Sequence, residues 1–404
     1  MGMLINIDNG GTLTDICVLK DNDFYKTKTL TTPYDLSKCF FDGLKDVSKA
    51  IYGEENVARL LAEVDHIRYS TTQGTNAIVE RKGPKLGIVV NKGHTDLISL
   101  MRKQDQDLFD FLVGDRVEEI ELTDLQDAER ATETTTAITR LTARGANRVV
   151  VCFDVDKATQ YESQFKRIAF DNYPRHLLGA VPMLFASELA EDISPSRRGW
   201  TALVNSFLHP AMESFLYNAE NRLREYRTKN PLLIFRNDGD ASRVAKTIAL
   251  KTYSSGPRGG MEGVKEFSKQ YKLPNVVSMD IGGTTTDIGH IINHTVQESR
   301  HGNVEGVPIS FGLCEIASPG VGGSSILSVN GKDIKVGPES VGAVPGPASF
   351  GRGGKESTMT DVNLLTGLLD PQTFFGGGLK LDIDRAHAAI EENIATPLGV
   401  SSDE

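Results

Sequence analysis

Asp8-Asn9-Gly10-Gly11-Thr12-Leu13-Thr14-Asp15-Ile16 follows the short apolar segment Leu4 to Asp8 and runs into Cys17-Val18-Leu19. Apolar and β-branched residues on both sides of a glycine pair read as strand, tight turn, strand. A second copy, Asp280-Ile281-Gly282-Gly283-Thr284-Thr285-Thr286-Asp287-Ile288, follows Val276 to Ile281, with seven of nine positions identical at an offset of 272 residues. One such turn carries little information. Two copies in the same setting point to a duplicated hairpin. Paired glycines remove side chains and permit unusual backbone angles, so consecutive N–H groups can converge on phosphate oxygens, and threonine hydroxyls add donors. An aspartate at the strand end repels phosphate unless it holds a hydrated Mg²⁺ or orients water. A dinucleotide fold or P-loop is excluded, because a strand rather than a helix follows each glycine pair. The bland alternative is two tight hairpins without a ligand.

Outward from the first hairpin, Phe24 to Leu30 reads as a third strand. Pro33 to Ala50 reads as a helix opened by Pro33, with Leu36, Phe40, Leu44 and Val47 on one face. Strands at Ile67 to Ser70 and Leu86 to Asn91 flank a helix over Thr75–Lys82, giving the order β-β-β-α-β-α-β. Residues 95–125 read as an irregular acidic excursion, either a solvated loop or a lid. Leu125 to Arg144 reads as a helix, Val149 to Phe153 as a buried strand, Tyr161 to Asn172 as a helix and Val181 to Ala186 as a strand. Ser194-Pro195 opens a long helix to Arg224, with Trp200, Val204, Phe207, Met212, Phe215 and Leu223 as its core face. Leu232 to Phe235 reads as a strand and Met261 to Tyr271 as a helix before the second hairpin. Two domains are expected, 1–190 and 191–404, each with one hairpin.

The 404 residues carry a net charge of -10, which argues against a broad nucleic-acid footprint. No apolar run approaches bilayer length, and the N-terminus carries neither a secretory nor a transit pattern. Cys17, Cys39, Cys152 and Cys314 are scattered without pairing motifs, so a cytoplasmic, reduced protein is expected. Glycine is the outlier: 24 of 39 lie between Gly256 and Gly378, so that stretch is either loosely ordered or packed close to something. His290 and His294 are four apart but flank a strand and turn. Arg81 and Lys82 either reach phosphate or end a helix in solvent, and Arg197 and Arg198 fit a helix's first turns.

A unit of this order opening on such a hairpin resembles the actin, hexokinase and heat-shock-protein superfamily of ATPases. Several segments narrow the match: Ser70-Thr71-Thr72-Gln73-Gly74-Thr75-Asn76, Ser254-Ser255-Gly256-Pro257, Met279 to Asp287, Pro345-Gly346-Pro347-Ala348, Gly351-Arg352-Gly353-Gly354 and Thr360-Asp361-Val362-Asn363-Leu364. In this order the chain is similar to A-type subunits of the hydantoinase/oxoprolinase family, over nearly its whole length. The resemblance implies an α/β, duplicated actin-like (RNase H-like) fold, with two mixed-sheet domains around a nucleotide cleft and a C-terminal part apparently missing. It further implies ATP and Mg²⁺, with Asp8 and Asp280 as catalytic and metal-binding carboxylates. Gly10, Gly11, Thr12, Thr14, Gly282, Gly283, Thr284 and Thr285 would line the phosphates, and Gly320, Gly322 and Gly323 would edge the cleft. Asn9, Asn237-Asp238-Gly239-Asp240, Arg258 and Ser70 depart from the family's usual residues.

The expected activity is ATP-dependent phosphorylation of a carbonyl oxygen in a small-molecule substrate, as part of a cyclic-amide hydrolase with a B-type partner subunit. One alternative is a ketone carboxylase subunit of the acetone or acetophenone type. Another is a nucleotide-binding regulatory subunit without catalysis.

Overall fold

The computed structural model describes residues 2–404 except 33, 80, 94, 123–126, 175, 178 and 179. Strands β1 (Met3–Asn9), β2 (Leu13–Lys20) and β3 (Asp23–Leu30) form the expected antiparallel meander. Met3, Ile5, Ile7 and Asn9 turn inward, so strict alternation leaves Asp8 on the opposite face. Helix α1 (Leu36–Tyr52) covers the inward face with Leu36, Phe40, Leu44 and Val47, all buried. It is capped by Asp35, whose carboxylate accepts from the Ser37 amide, and closed by Gly53 at φ 78. Pro33, the expected opener, lies outside the described residues. A short helix not anticipated from the sequence, α2 (Val57–Glu63), leads into β4 (Val64–Thr71), which runs parallel to β1.

After α3 (Gln73–Val79) the chain leaves this sheet. β5 (Leu86–Asn91), β6 (Val117–Ile120), β7 (Arg148–Val151) and β8 (Met183–Phe185) form a separate parallel sheet in the order β6-β5-β7-β8. All six residues of β5 are buried, with Ile88 and Val90 in the main core and Val89 in a second one. A strand covered on both faces reads as a continuous apolar run, so periodicity could not show which sheet it joins. Between these strands, residues 95–125 are not irregular as expected. They contain α4 (Thr95–Gln104), α5 (Gln106–Leu112) and β6. Asp105, taken for part of a solvated acidic run, caps α5 by accepting from the Leu108 amide at 2.8 Å. Phe109 of that helix packs edge-on against Trp200.

Helices α6 (Asp127–Ala143), α7 (Ala158–Asn172) and α8 (Ala186–Leu189) accompany the second sheet. The predicted start of α6 at Leu125 falls outside the described residues. Helix α9 (Pro195–Glu225) begins at the Ser194 cap as the sequence indicates, and its six expected core residues are all buried. Strands β9 (Leu233–Phe235) and β10 (Ala241–Arg243) then complete the first sheet as β10-β9-β4-β1-β2-β3.

Helix α10 (Ser255–Gln270) starts six residues before the expected Met261, because Pro257 sits in its first turn, where a missing N–H costs nothing. It delivers the chain to the second hairpin, β11 (Val276–Ile281) and β12 (Thr286–Ile292). β13 (Thr295–Val296) continues that sheet. Short strands β14 (Glu298–Ser299), β15 (Asn303–Val304), β16 (Val307–Pro308), β17 (Leu313–Cys314) and β18 (Ile316–Ala317) follow, and β18 pairs with β12. A hairpin of β19 (Ser325–Asn330) and β20 (Asp333–Ser340) leads to α11 (Met359–Leu365).

The two hairpins repeat each other in register. Asp8 pairs with Asp15 and Asn9 with Thr14 in the first; Asp280 pairs with Asp287 and Ile281 with Thr286 in the second. They differ in surroundings. β1 has two neighbours, β2 and β4, whereas among the described residues β11 has only β12. Val277, Met279 and Ile281 are 74%, 60% and 66% exposed, while their counterparts Ile5, Ile7 and Asn9 are buried. An open apolar hollow of about 750 Å³ lies on this sheet, lined by residues such as Val277, Ile288 and Ile292. No helix among the described residues is long and apolar enough to cross a membrane.

The Thr360-Asp361 motif has a structural role. Asp361 is fully buried and accepts from the Ser349 amide at 2.8 Å, the Thr358 amide at 2.9 Å and the Thr358 hydroxyl at 2.7 Å. Next to it, the Thr360 hydroxyl donates to the Gly323 carbonyl at 2.8 Å, which ties α11 to the glycine-rich turn. Asp361→Ala leaves buried donors unpaired, and urea unfolding is expected to show a loss of about 2–3 kcal/mol. Asp361→Asn, which keeps one acceptor, is expected to lose less.

Candidate functional site

In each turn the first glycine amide closes the loop: Gly10 donates to the Leu13 carbonyl at 3.0 Å and Gly282 to the Thr285 carbonyl at 2.9 Å. A Cβ at either position would come within 2.9 or 3.1 Å of that same carbonyl oxygen. The amides of Gly11, Thr12, Gly283 and Thr284 make no intramolecular hydrogen bond among the described residues. The turns approach each other closely: a Cβ on Gly283 would lie 2.4 Å from the Thr12 hydroxyl oxygen. That hydroxyl is buried and has no hydrogen-bond partner among the described residues. A buried, unsatisfied hydroxyl is costly unless something arrives to bond it.

Carboxylates flank the turns. Asp8 accepts from the Ser70 hydroxyl at 2.6 Å. Asp287 accepts from the Ser318 hydroxyl, and Asp15 pairs with Lys28 at 2.9 Å. Asp8 keeps contact with solvent, yet the crowding of protein around it pushes its carboxyl above the usual aspartate range; desolvation leads, and the negative charges of Asp15 and Asp280 add to it. Asp287 is raised for the same first reason, with Asp280 contributing. The first turn of α10 also reaches this place, since a Cβ on Gly256 would lie 3.1 Å from Asp8 Oδ1. Ser255 fixes that turn to the end of β4 through the Thr71 amide.

Thr14, expected to face the phosphates, lies instead in the core beneath the turn. It accepts from Asn9 Nδ2 at 2.8 Å and pairs with the Thr31 hydroxyl at 2.9 Å, and Thr31 in turn donates to the Gly10 carbonyl at 2.8 Å. Asn9, which sequence reasoning noted only as a departure, is the centre of this knot. Gly322 and Gly323 are also placed differently from expectation. Their amides are taken by the Ser325 hydroxyl and the Gly282 carbonyl, and a Cβ on Gly322 would strike the Gly282 and Gly283 carbonyls at 2.7 Å. These glycines allow the 320–324 turn to pack against the hairpin, and their N–H groups are not free for a ligand. A Cβ on Gly320 would meet Pro338 Cβ at 3.6 Å, an ordinary contact.

Other candidates resolve as structural. Arg81 stacks over the Phe111 ring, and Arg197 holds Asp192 through two contacts of 2.7 Å. Arg198 donates to the Phe153 carbonyl. Arg258 is buried between Glu262 and Glu298. His294 shares a hydrogen bond with Ser268. No cluster of three or more His, Cys, Asp or Glu side chains able to hold a metal exists among the described residues.

The hydantoinase/oxoprolinase family signature matches residues 198–404, and the signature of that family's N-terminal region matches residues 4–168. The chain belongs to the hydantoinase/oxoprolinase family. It is 29% identical to the acetophenone carboxylase gamma subunit of Aromatoleum aromaticum, over 99% of this chain and 58% of that protein. It is 26% identical to the caprolactamase subunit alpha of Pseudomonas jessenii, over 98% of this chain and 59% of that protein. The nucleotide-free structure of acetone carboxylase shares the fold, with a TM-score of 0.86 at 24% identity, over 99% of this chain and 59% of that one. The chain thus spans about three-fifths of the length of these relatives. The duplicated α/β architecture expected from the sequence is that of this family.

Two outcomes follow from the geometry. Because the Asp8 carboxyl is raised, the folded protein holds its proton more tightly than the unfolded chain does. Its contribution to stability is therefore present below the usual aspartate range and is lost as pH rises through the raised value. Asp8→Asn is expected to raise Tm at neutral pH without nucleotide, with the gain fading as pH falls below that range. Gly283→Val drives a side chain against the Thr12 hydroxyl and is expected to cost about 1–3 kcal/mol of stability through overpacking, read by urea unfolding.

Proposed function

We propose that the cleft between the hairpins binds ATP and that the chain is the nucleotide-using subunit of an enzyme that activates a carbonyl compound by phosphorylation. The observation that carries this reading is the unpartnered Thr12 hydroxyl, set between two glycine turns whose remaining amides are also free. Phosphate oxygens supply the acceptors these donors lack. Carboxylates beside a polyphosphate need a cation between them. Asp8 and Asp280 suit Mg²⁺, which takes one or two carboxylates and completes its shell with phosphate oxygens and water. The mutual repulsion that helps raise Asp8 is what a divalent ion relieves. When bound, the ion would offset charge on the phosphates.

The chain's own residues would do the rest. The free amides of Gly11, Thr12, Gly283 and Thr284 would follow the phosphoryl group as charge spreads over its oxygens. Ser70 holds the Asp8 carboxylate in one orientation. In the transfer, the bond between the γ-phosphorus and the ADP oxygen breaks, and a bond from the substrate's carbonyl oxygen to phosphorus forms. For a cyclic amide the product is an imidate phosphate, losing its N–H proton. The N–H proton passes to solvent. A first water adds at the former carbonyl carbon, and cleavage of the C–N bond with protonation of the nitrogen opens the ring to an acyl phosphate. A second water hydrolyses this to carboxylate and phosphate. Relatives named as caprolactamase and 5-oxoprolinase support this reading, and those named as carboxylase subunits support the ketone alternative. A B-type partner subunit would complete either reaction.

The deciding experiment is an ADP-release assay on the chain together with its co-purifying partners. Release with cyclic amides supports the hydrolase. Release only with a ketone plus bicarbonate replaces it with the carboxylase, and nucleotide binding with no release under any condition replaces both with a regulatory subunit. Asp280→Ala is expected to lower kcat by about 100-fold or more; near-normal turnover would remove Asp280 from the machinery.

A further inference from the structure

A second cavity, of about 310 Å³, opens beside the hairpin cleft, between the start of α10 and the small strands β14 to β18. Two of its walls connect it to the carboxylates. Ser318 lines it and donates to Asp287, the cross-strand neighbour of Asp280. Ser254 lines it from the other side and immediately precedes α10, whose Gly256 abuts Asp8. The volume suits one small ring, and the position is next to where a phosphoryl group would be transferred.

Its polar groups are unevenly committed. The Tyr253 hydroxyl, which burial and Glu305 keep neutral, donates to Glu305 at 3.2 Å. The Ser299 hydroxyl donates to Glu315 at 2.9 Å, and Asn303 Nδ2 donates to the Gly306 carbonyl at 3.3 Å. Asn237 spends its amide hydrogens on the Leu250 and Tyr253 carbonyls, both at 3.0 Å. These donors are engaged within the protein, and acceptor capacity is left over. Glu305 and Glu315 are exposed, so water fills their further lone pairs until a ligand displaces it, whereas Asn237 Oδ1 is buried with no partner among the described residues. Asn237 is itself 2% exposed, so this oxygen cannot draw freely on bulk water.

We propose that this cavity seats the carbonyl substrate of the activity inferred above, on which the assignment rests, and that it selects molecules carrying an amide N–H. Asn237 Oδ1, Glu305 and Glu315 form its acceptor face. A lactam or hydantoin satisfies that face while presenting its carbonyl oxygen toward the phosphates. A ketone has no N–H to offer, and bicarbonate would bring a negative charge beside two carboxylates. Sites built to receive a hydrogen bond reject analogues that lack the donor. The assignment gives the Asn237-Asp238-Gly239-Asp240 departure a purpose, since Asn237 brings the unpaired oxygen.

The test is binding to the full chain, measured by saturation-transfer NMR and calorimetry with δ-valerolactam, its N-methyl derivative and cyclohexanone, each with and without ADP. The lactam is expected to bind, with N-methylation and ketone replacement each weakening it about 10-fold or more. Glu305→Gln and Glu315→Gln, checked for unchanged Tm and ADP affinity, are expected to weaken the lactam and narrow its advantage over the N-methyl derivative. Equal binding of all three ligands, no lactam binding, or lactam affinity unaffected by both variants would each overturn the assignment. Failure of the ATP reading gives a different result, with ADP failing to bind while the lactam still does.

Discussion

Everything at the cleft depends on two backbones meeting without side chains between them. The Thr12 hydroxyl faces Gly283 across a gap that would not admit a methyl group. Behind Gly283, the 320–324 turn rests on the carbonyls of Gly282 and Gly283, again with no room for a Cβ at Gly322. Thr360 fastens that turn from below, and the buried Asp361 holds the helix that carries Thr360. A layered arrangement of this kind fixes donor positions without relying on flexible side chains. That matters because a donor must be in place before charge develops if it is to lower a barrier.

The two halves support their turns by different means. The first uses a buried polar knot of Asn9, Thr14, Thr31 and the Gly10 carbonyl. The second has Ile281 where the first has Asn9, and braces its turn with glycine-rich backbone. The Thr286 hydroxyl, counterpart of Thr14, donates to the Val321 carbonyl instead. The duplication therefore preserves the turn geometry, while the scaffolds beneath have diverged.

The hairpins and the long helix from Ser194 were legible in the sequence because each has a local signal: a repeated nonapeptide between apolar segments, and a cap. The sheet that β5 joins was not legible, since a strand buried on both faces has no period to indicate its neighbours. Residues 95–125 misled because charge count outweighed spacing. Leu97, Met101, Leu108, Phe109 and Leu112 are buried at helical intervals among the acidic residues. At the site, the repeated pattern located the two turns themselves. Thr14 belongs to that pattern but faces inward, and Gly322 and Gly323, which came from the family resemblance, have their amides occupied. Which face of a turn is left open is decided by tertiary packing, which the nonapeptide does not encode. The concentration of glycine after residue 256 has two causes: close packing, as at Gly283, Gly322 and Gly354, and positive φ, as at Gly306, Gly342 and Gly353.

Among the described residues, β11 is a strand with one partner and three large apolar side chains in solvent. Its free side presents unpaired N–H and C=O groups next to those side chains, which is the combination that lets a sheet grow by adding foreign strands. The polypeptide of these 404 residues, held alone at high concentration, carries its aggregation hazard within ångströms of its catalytic candidate, because Asp280 lies on that same strand. Whatever covers the edge would protect solubility and steady the carboxylate at once.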